Sequence, residues 1–86
     1  MSAIKLYTTR FCPFCIRAKQ LLKSKDATYQ EIAVDNDREL RQKMMQESGQ
    51  RTVPQIWINQ QHIGGCDELY QLERAGELNK LLEKTF

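Results

Sequence analysis

The chain has no apolar run near the ~20 residues that a membrane-spanning helix requires. Over Met1 to Tyr7, Lys5 sits inside a short strand-like stretch, and the long apolar region of a secretory signal is missing. The expectation is a cytoplasmic protein with no membrane association. Repeats, low-complexity tracts and linkers are absent too, so residues 1–86 read as one domain. A domain this short buries a modest share of its surface and needs a well-filled core. Its 41% hydrophobic and 28% charged residues are those of an ordinary globular protein. Cysteine is scarce, with three in all. In a reducing cytosol permanent bridges are rare, and a close cysteine pair points to catalysis or metal binding.

Acidic residues are missing from the first 25 positions, which hold Lys5, Arg10, Arg17, Lys19, Lys23 and Lys25. The whole chain carries +2, so residues 26–86 sum to −4. The basic part surrounds the cysteine pair. It reads either as a solvated helix face or as a local field that favours a thiolate and attracts an anionic partner. A basic stripe interleaved with aromatics is lacking, which argues against nucleic-acid binding.

Ile4 to Tyr7 forms a short strand and Thr8 to Phe11 a loop. Pro13 then stands where a first helical residue would. From Pro13 to Lys25, the residues Phe14, Ala18, Leu21 and Leu22 share one helical stripe. Thr28 to Val34 predicts a second strand. Asp35, Asn36 and Asp37 offer caps for a helix running to about Ser48, with Glu39 in capping-box register to Asn36 and Gly49 to end it. Leu40, Met44 and Met45 supply its apolar side.

Gln55–Ile58 and Gln61–Ile63 predict two strands joined by a turn at Asn59–Gln60, although glutamine is unusual there. Trp57 reads as packing. His62 is placed on the solvent side or at a sheet edge, outside the chemistry. After Gly64–Gly65, Asp67 to Ala75 returns to helical periodicity, and Gly76 precedes a last helix with Leu78, Leu81 and Leu82. The order predicts an α/β fold, a mixed four-stranded sheet flanked by helices, with Cys12 at the C-terminal end of the first strand.

Cys12-Pro13-Phe14-Cys15 spans that strand-to-helix junction. Cys12 at the cap and Cys15 one turn in share a helix face, so their sulfurs can meet. First-turn amides and the helix dipole favour negative charge on Cys12, which makes it the nucleophile and Cys15 the resolver. Three alternatives stand beside this: a pair of buried structural thiols, a periplasmic dithiol oxidant, against which the missing export signal argues, or a zinc site built from Cys12, Cys15, His62 and Cys66. The wide gap between the ligand pairs argues against zinc. A C-x-x-C inside a βαβ unit is the stronger signal for redox work.

With these residues in place the sequence resembles the glutaredoxins over essentially its whole length. Cys12-Pro13-Phe14-Cys15 is similar to the family's Cys-Pro-Tyr-Cys, Thr52-Val53-Pro54 to its Thr-Val-Pro, and Gly64-Gly65-Cys66-Asp67 to its Gly-Gly-Cys-Asp. Cys66 and the stretch Pro54 to Asn59 resemble the bacterial glutaredoxin 3 subgroup. The resemblance implies a thioredoxin-like fold and glutathione as reductant and co-substrate, with no tightly bound cofactor and no metal. It implies disulfide or glutathionylated proteins as substrates and recharging indirectly by glutathione reductase and NADPH; nothing in the sequence suggests an oligomer, and a monomer is expected.

The glutathione contacts it implies are Arg10, Phe14, Arg41, Thr52, Val53, Pro54, Gly65, Cys66 and Asp67. Pro54 would be cis, and Val53 would pair with the cysteinyl backbone. The helix start at Gly64–Asp67 would hold the γ-glutamyl carboxylate, with Asp67 accepting from its amino group; Asp67 as a plain N-cap is the alternative. Arg41 would meet the glycyl carboxylate. The family's lysine three residues before the first cysteine is Thr9 here, and Arg10 is the candidate replacement. Cys66 reads as a small buried hydrophobe or as a third thiol beside the groove. Two rivals remain: a redoxin fed by thioredoxin reductase, and an iron–sulfur scaffold ligated by Cys12 and glutathione.

Overall fold

A computed structural model describes residues 3–83. The part of the N-terminal reading that rests on Met1 and Ser2 lies outside them. The elements are β1 (Ile4–Thr8), α1 (Pro13–Ser24), β2 (Gln30–Ala33), α2 (Arg38–Ser48), β3 (Gln55–Ile58), β4 (Gln61–Gly64), α3 (Cys66–Arg74) and α4 (Glu77–Glu83). The sheet order is β2-β1-β3-β4, with β1 and β2 parallel and the other pairs antiparallel. This is the expected mixed four-stranded sheet. No helix among the described residues is long and apolar enough to cross a membrane.

Side chains alternate across a strand, and that alternation divides the interior in two. Ile4, Leu6, Ile56 and Ile58 face Ala18, Leu21 and Leu22 of α1, Leu69 of α3 and Leu78 of α4. Tyr7 and Val34 face the opposite way and meet Met44 of α2, with Leu40, Met45 and Trp57 packed around them. Trp57 lies edge-on to Tyr7 and against His62. It is packing, as expected.

Two local expectations change. Phe14 does not join the buried stripe of α1; Cys15 takes the inward position with Ala18, Leu21 and Leu22. Phe14 is the second helical residue, at the rim, and it stays 52% exposed. The cap of α2 is Asp37, whose carboxylate accepts from the Leu40 N–H at 3.0 Å. Asn36 is turned into the left-handed region at φ 57°, so the predicted box with Glu39 does not form.

The hairpin turn falls on Asn59 and Gln60, at φ 53° and 70°. Both left-handed values are what a type I′ turn needs. Asn59 secures the turn: its Oδ1 accepts from the Ala3 N–H at 3.0 Å and its Nδ2 donates to the Leu81 carbonyl at 3.2 Å. The turn thereby ties the start of β1 to α4.

Candidate active site

Cys12, four residues past the end of β1, is extended and caps α1. Its sulfur accepts the Cys15 N–H at 3.1 Å and lies 3.7 Å from the Val53 carbonyl. Pro13 at the first helical position has no N–H to leave unpaired and presets the helical φ. The two cysteines therefore share the first turn, as their spacing predicts. All three cysteines are thiols.

Cys12 is 6% exposed and Cys15 1%. Burial first, and then a hydrogen bond with the Cys12 sulfur, push the Cys15 thiol up to about 12 against opposing help from the Thr9 backbone and Lys19. Cys15 is thus held as a neutral thiol, while Cys12 alone occupies the cap, where the helix amide meets its sulfur.

Val53–Pro54 is a cis peptide, and the Thr52–Pro54 loop faces the cysteines. Gln55, fully buried at the start of β3, holds this loop. Its Nε2 donates to the Thr52 carbonyl at 2.9 Å and to the Gln50 Oε1 at 3.1 Å, while its Oε1 meets the His62 Nε2 at 2.8 Å. Sequence reading gave Gln55 no part in the site. The signal available was a glutamine at the first, buried position of a central strand, where a polar group survives only if fully bonded.

Across the groove, Gly65 caps α3, and its N–H donates to the Glu68 Oε1 at 2.7 Å. Asp67 is therefore the second residue of the helix and not its cap. A methyl group on Gly65 would sit 3.3 Å from the Pro54 carbonyl, so a glycine lets the two walls approach. Between them lies a groove of about 330 Å³ lined by Phe14, Thr52, Val53, Pro54, Gly65, Cys66 and Asp67, together with Gln50 and Glu68.

Two proposed contacts stand apart from this groove. Arg10 offers its backbone N–H to Asp35 at 2.8 Å, with an exposed side chain. Arg41 lines a depression beside Val34, Asn36, Asp37 and Arg38. Cys66 is 6% exposed, and burial raises its thiol while Arg17 draws it down. His62 points to Gln55, and among the described residues no three His, Cys, Asp or Glu side chains gather closely enough to hold a metal ion. The four residues of the zinc alternative are thus not brought together.

The basic N-terminal part is partly neutralised by later acids: Lys19 meets Glu31 at 2.9 Å, Lys25 meets Glu73 at 2.7 Å, and Lys5 lies 4.0 Å from Glu47. Glu31 is held below the usual carboxylate range chiefly by the Lys19 hydrogen bond.

A cap cysteine, a buried partner one turn on, and a proline loop opposite make a two-thiol centre. The glutaredoxin family model matches residues 4–63. The chain belongs to the glutaredoxin family. It is 55% identical over 82 residues to a glutaredoxin of Pseudomonas aeruginosa, covering 95% of this chain and 98% of that one. With glutaredoxin 3 of Escherichia coli K12 the identity is 48% over 83 residues, covering 96% and 100%. The solution structure of a Brucella melitensis glutaredoxin superposes with a TM-score of 0.84 at 47% identity, over 94% of this chain and 88% of that one. A buckwheat glutaredoxin–glutathione complex superposes at 0.87 and 33% identity, over 94% and 76%. The fold is thioredoxin-like, and the activity is thiol–disulfide oxidoreduction.

Proposed function

We propose that this glutaredoxin reduces protein–glutathione mixed disulfides and protein disulfides at the expense of glutathione, with Cys12 as nucleophile and Cys15 as resolver. The observation that carries the reading is the Cys12 sulfur, bonded by the Cys15 amide and 3.7 Å from the carbonyl of Val53, a residue that lines the groove. The Cys12 thiolate attacks the glutathione sulfur of a mixed disulfide. The protein thiolate leaves and is protonated by solvent, and Cys12 carries the glutathionyl group. A second glutathione thiolate attacks that glutathione sulfur, which releases glutathione disulfide and restores the Cys12 thiolate.

On a protein disulfide, Cys12 joins one sulfur and Cys15 attacks Cys12, giving the Cys12–Cys15 disulfide and the second protein thiol. Two glutathiones then return the two electrons.

Glutathione fits the groove as a γ-glutamyl end against α3 and a cysteinyl backbone along Val53. The Gly65 N–H is already taken by Glu68, so the Cys66 and Asp67 amides are the donors for the carboxylate, and the Asp67 side chain accepts from the amino group. Thr52, Pro54 and Phe14 form the walls. By resemblance Arg41 would meet the glycyl carboxylate and Arg10 would supply the cationic contact of the lysine replaced by Thr9, although neither lines the groove. The buckwheat relative solved with glutathione supports this placement by its shared fold. Asp67→Asn is expected to raise the KM for a glutathione mixed disulfide about tenfold with kcat within about twofold, the worth of one charge-assisted contact. An unchanged KM would remove Asp67 from the site.

The resolving step carries its own pH signature. Burial, the largest cause that raises the Cys15 thiol, persists when Cys12 is tied up in a disulfide, so Cys15 stays mostly protonated through neutrality and its thiolate fraction grows close to tenfold per pH unit. Release of a peptide from a preformed Cys12–peptide disulfide, without glutathione, is expected to accelerate about as steeply between pH 6 and 8. A flat profile contradicts the assignment of Cys15.

The deciding assay couples reduction of a glutathione mixed disulfide to glutathione, glutathione reductase and NADPH. Turnover is expected there and not with thioredoxin reductase alone. The reverse pattern overturns glutathione dependence.

A further inference from the structure

Large apolar side chains are exposed at Phe11, 90%, Phe14, 52%, and Ile16, 48%. All three lie within four positions of Cys12. Phe14 lines the groove already described; Phe11 and Ile16 do not. Phe11 immediately precedes the cap of α1, and Ile16 is the fourth helical residue, with its N–H on the Cys12 carbonyl at 3.1 Å. Residues at those two positions commonly pack on one another and fix the entry of the chain into the helix. Here Phe11 stays almost wholly in water, so local packing does not account for it.

The reaction supplies an occupant. Cys12 is only 6% exposed, so a disulfide that reaches its sulfur must bring its own neighbouring atoms down onto the rim. A glutathione-sized disulfide is accommodated by the groove. A polypeptide disulfide brings further chain beyond the groove, and Phe11 and Ile16, which do not line the groove, stand in sequence between Arg10 and Arg17 in a segment without acidic residues, with Asp35 reaching the Arg10 N–H from just past the end of β2. We propose that Phe11, with Ile16 beside it, is a docking ledge for protein disulfides whose reactive cysteine is flanked by an apolar and an acidic side chain, and that it sets the preference for polypeptide over small disulfides. Aromatic anchors at the centre of a contact carry much of its binding energy, and exposed cations such as Arg10 and Arg17 steer acidic partners toward it.

The proposal rests on Cys12 as the attacking thiol, and the test separates the two ideas because it needs no glutathione. Fully reduced protein is mixed in single turnover with three probes. One is a disulfide-linked homodimer of a short peptide carrying Leu before its cysteine and Glu after it. The second has Ala in place of Leu, and the third is 2-hydroxyethyl disulfide. In each case Cys12 attacks one probe sulfur, Cys15 closes the internal disulfide, and two probe thiols are released.

Phe11→Ala is expected to slow the Leu peptide about 5–10-fold while the other two probes stay within about twofold, and Phe11→Leu is expected to recover most of the loss. In the wild type, exchanging the peptide Glu for Lys slows the reaction by a factor that shrinks with added salt. Equal slowing of all three probes in Phe11→Ala, or no slowing of any, overturns the ledge and leaves Cys12 chemistry intact. Failure of the wild type with every probe overturns both.

Discussion

Cys12→Ser is expected to abolish turnover in the coupled glutathione assay, by about 10³-fold or more, while Cys15→Ser keeps most of it. A serine hydroxyl at the cap still accepts the Cys15 amide, so α1 starts as before and the loss is chemical. Cys15 does not stand in for the missing sulfur. It is 1% exposed, and burial holds its thiol above the ordinary thiol range, so little of it is thiolate at neutral pH. Replacing Cys12 removes its two contributions, hydrogen bond and charge, but leaves burial, the largest cause, in place.

Cys15→Ser has the opposite profile. Mixed disulfides with glutathione are expected still to turn over within about threefold, because in the proposed cycle their release uses a second glutathione and not Cys15. Protein disulfides instead stall as a Cys12–protein adduct, which mass spectrometry after acid quenching detects. Comparable activity in Cys12→Ser and the wild type would reverse the assignment of nucleophile and resolver. Loss of all activity in Cys15→Ser would make the reaction depend on both thiols for every substrate.

The site was readable where local rules govern it. Cys12 and Cys15 are three apart across a strand-to-helix junction, so cap and first-turn geometry settle their relation without knowledge of the rest. Gly49, in the left-handed region at φ 72°, ended its helix as a glycine there should. The parallel β1–β2 pair followed from the crossover through α1 and the β3–β4 hairpin from the Asn59–Gln60 turn, whereas the β1–β3 pairing that completes the order is seen only in the structure.

The poorly legible features depend on distant partners. Phe14 fits the apolar stripe of α1, but whether the first turn meets the core or the rim is decided by the sheet. Lys19, Lys25 and Lys5 look like a free basic cluster until Glu31, Glu73 and Glu47 arrive from elsewhere in the chain. Gln55 is the clearest case. It reads as a polar strand residue, yet its amide binds the Thr52 loop on one side and His62 on the other. Arg41 was placed by resemblance alone, and the structure sets it beside Asp37, outside the groove.

Gly64→Ala is expected to be the most damaging substitution that removes no atom. Gly64 ends β4 at φ +119°, a region occupied almost solely by glycine. A methyl group built there meets the Glu68 Oε1 at 2.8 Å, its Cγ at 2.9 Å and its Cβ at 3.2 Å. The Glu68 carboxylate is also the acceptor for the Gly65 N–H at the start of α3. The substitution therefore strains the backbone and displaces a helix cap together.

Strain of about 1–3 kcal/mol and a cap worth ~1 kcal/mol give a loss of about 2–4 kcal/mol. In a domain of this size that lowers Tm by roughly 10–25 °C. Glu68→Ala alone should cost only the cap, ~1 kcal/mol. The double variant removes two of the three close contacts but keeps the φ, so it should fall short of the sum of the single losses. Urea unfolding of the four proteins measures all these quantities. Gly64→Ala within about 0.5 kcal/mol of the wild type would show that the loop relaxes freely, and that the α3 end of the groove is not held by this pair. The expected result ties the wall proposed to receive glutathione to one glycine and one glutamate, neither of which needs to touch the ligand.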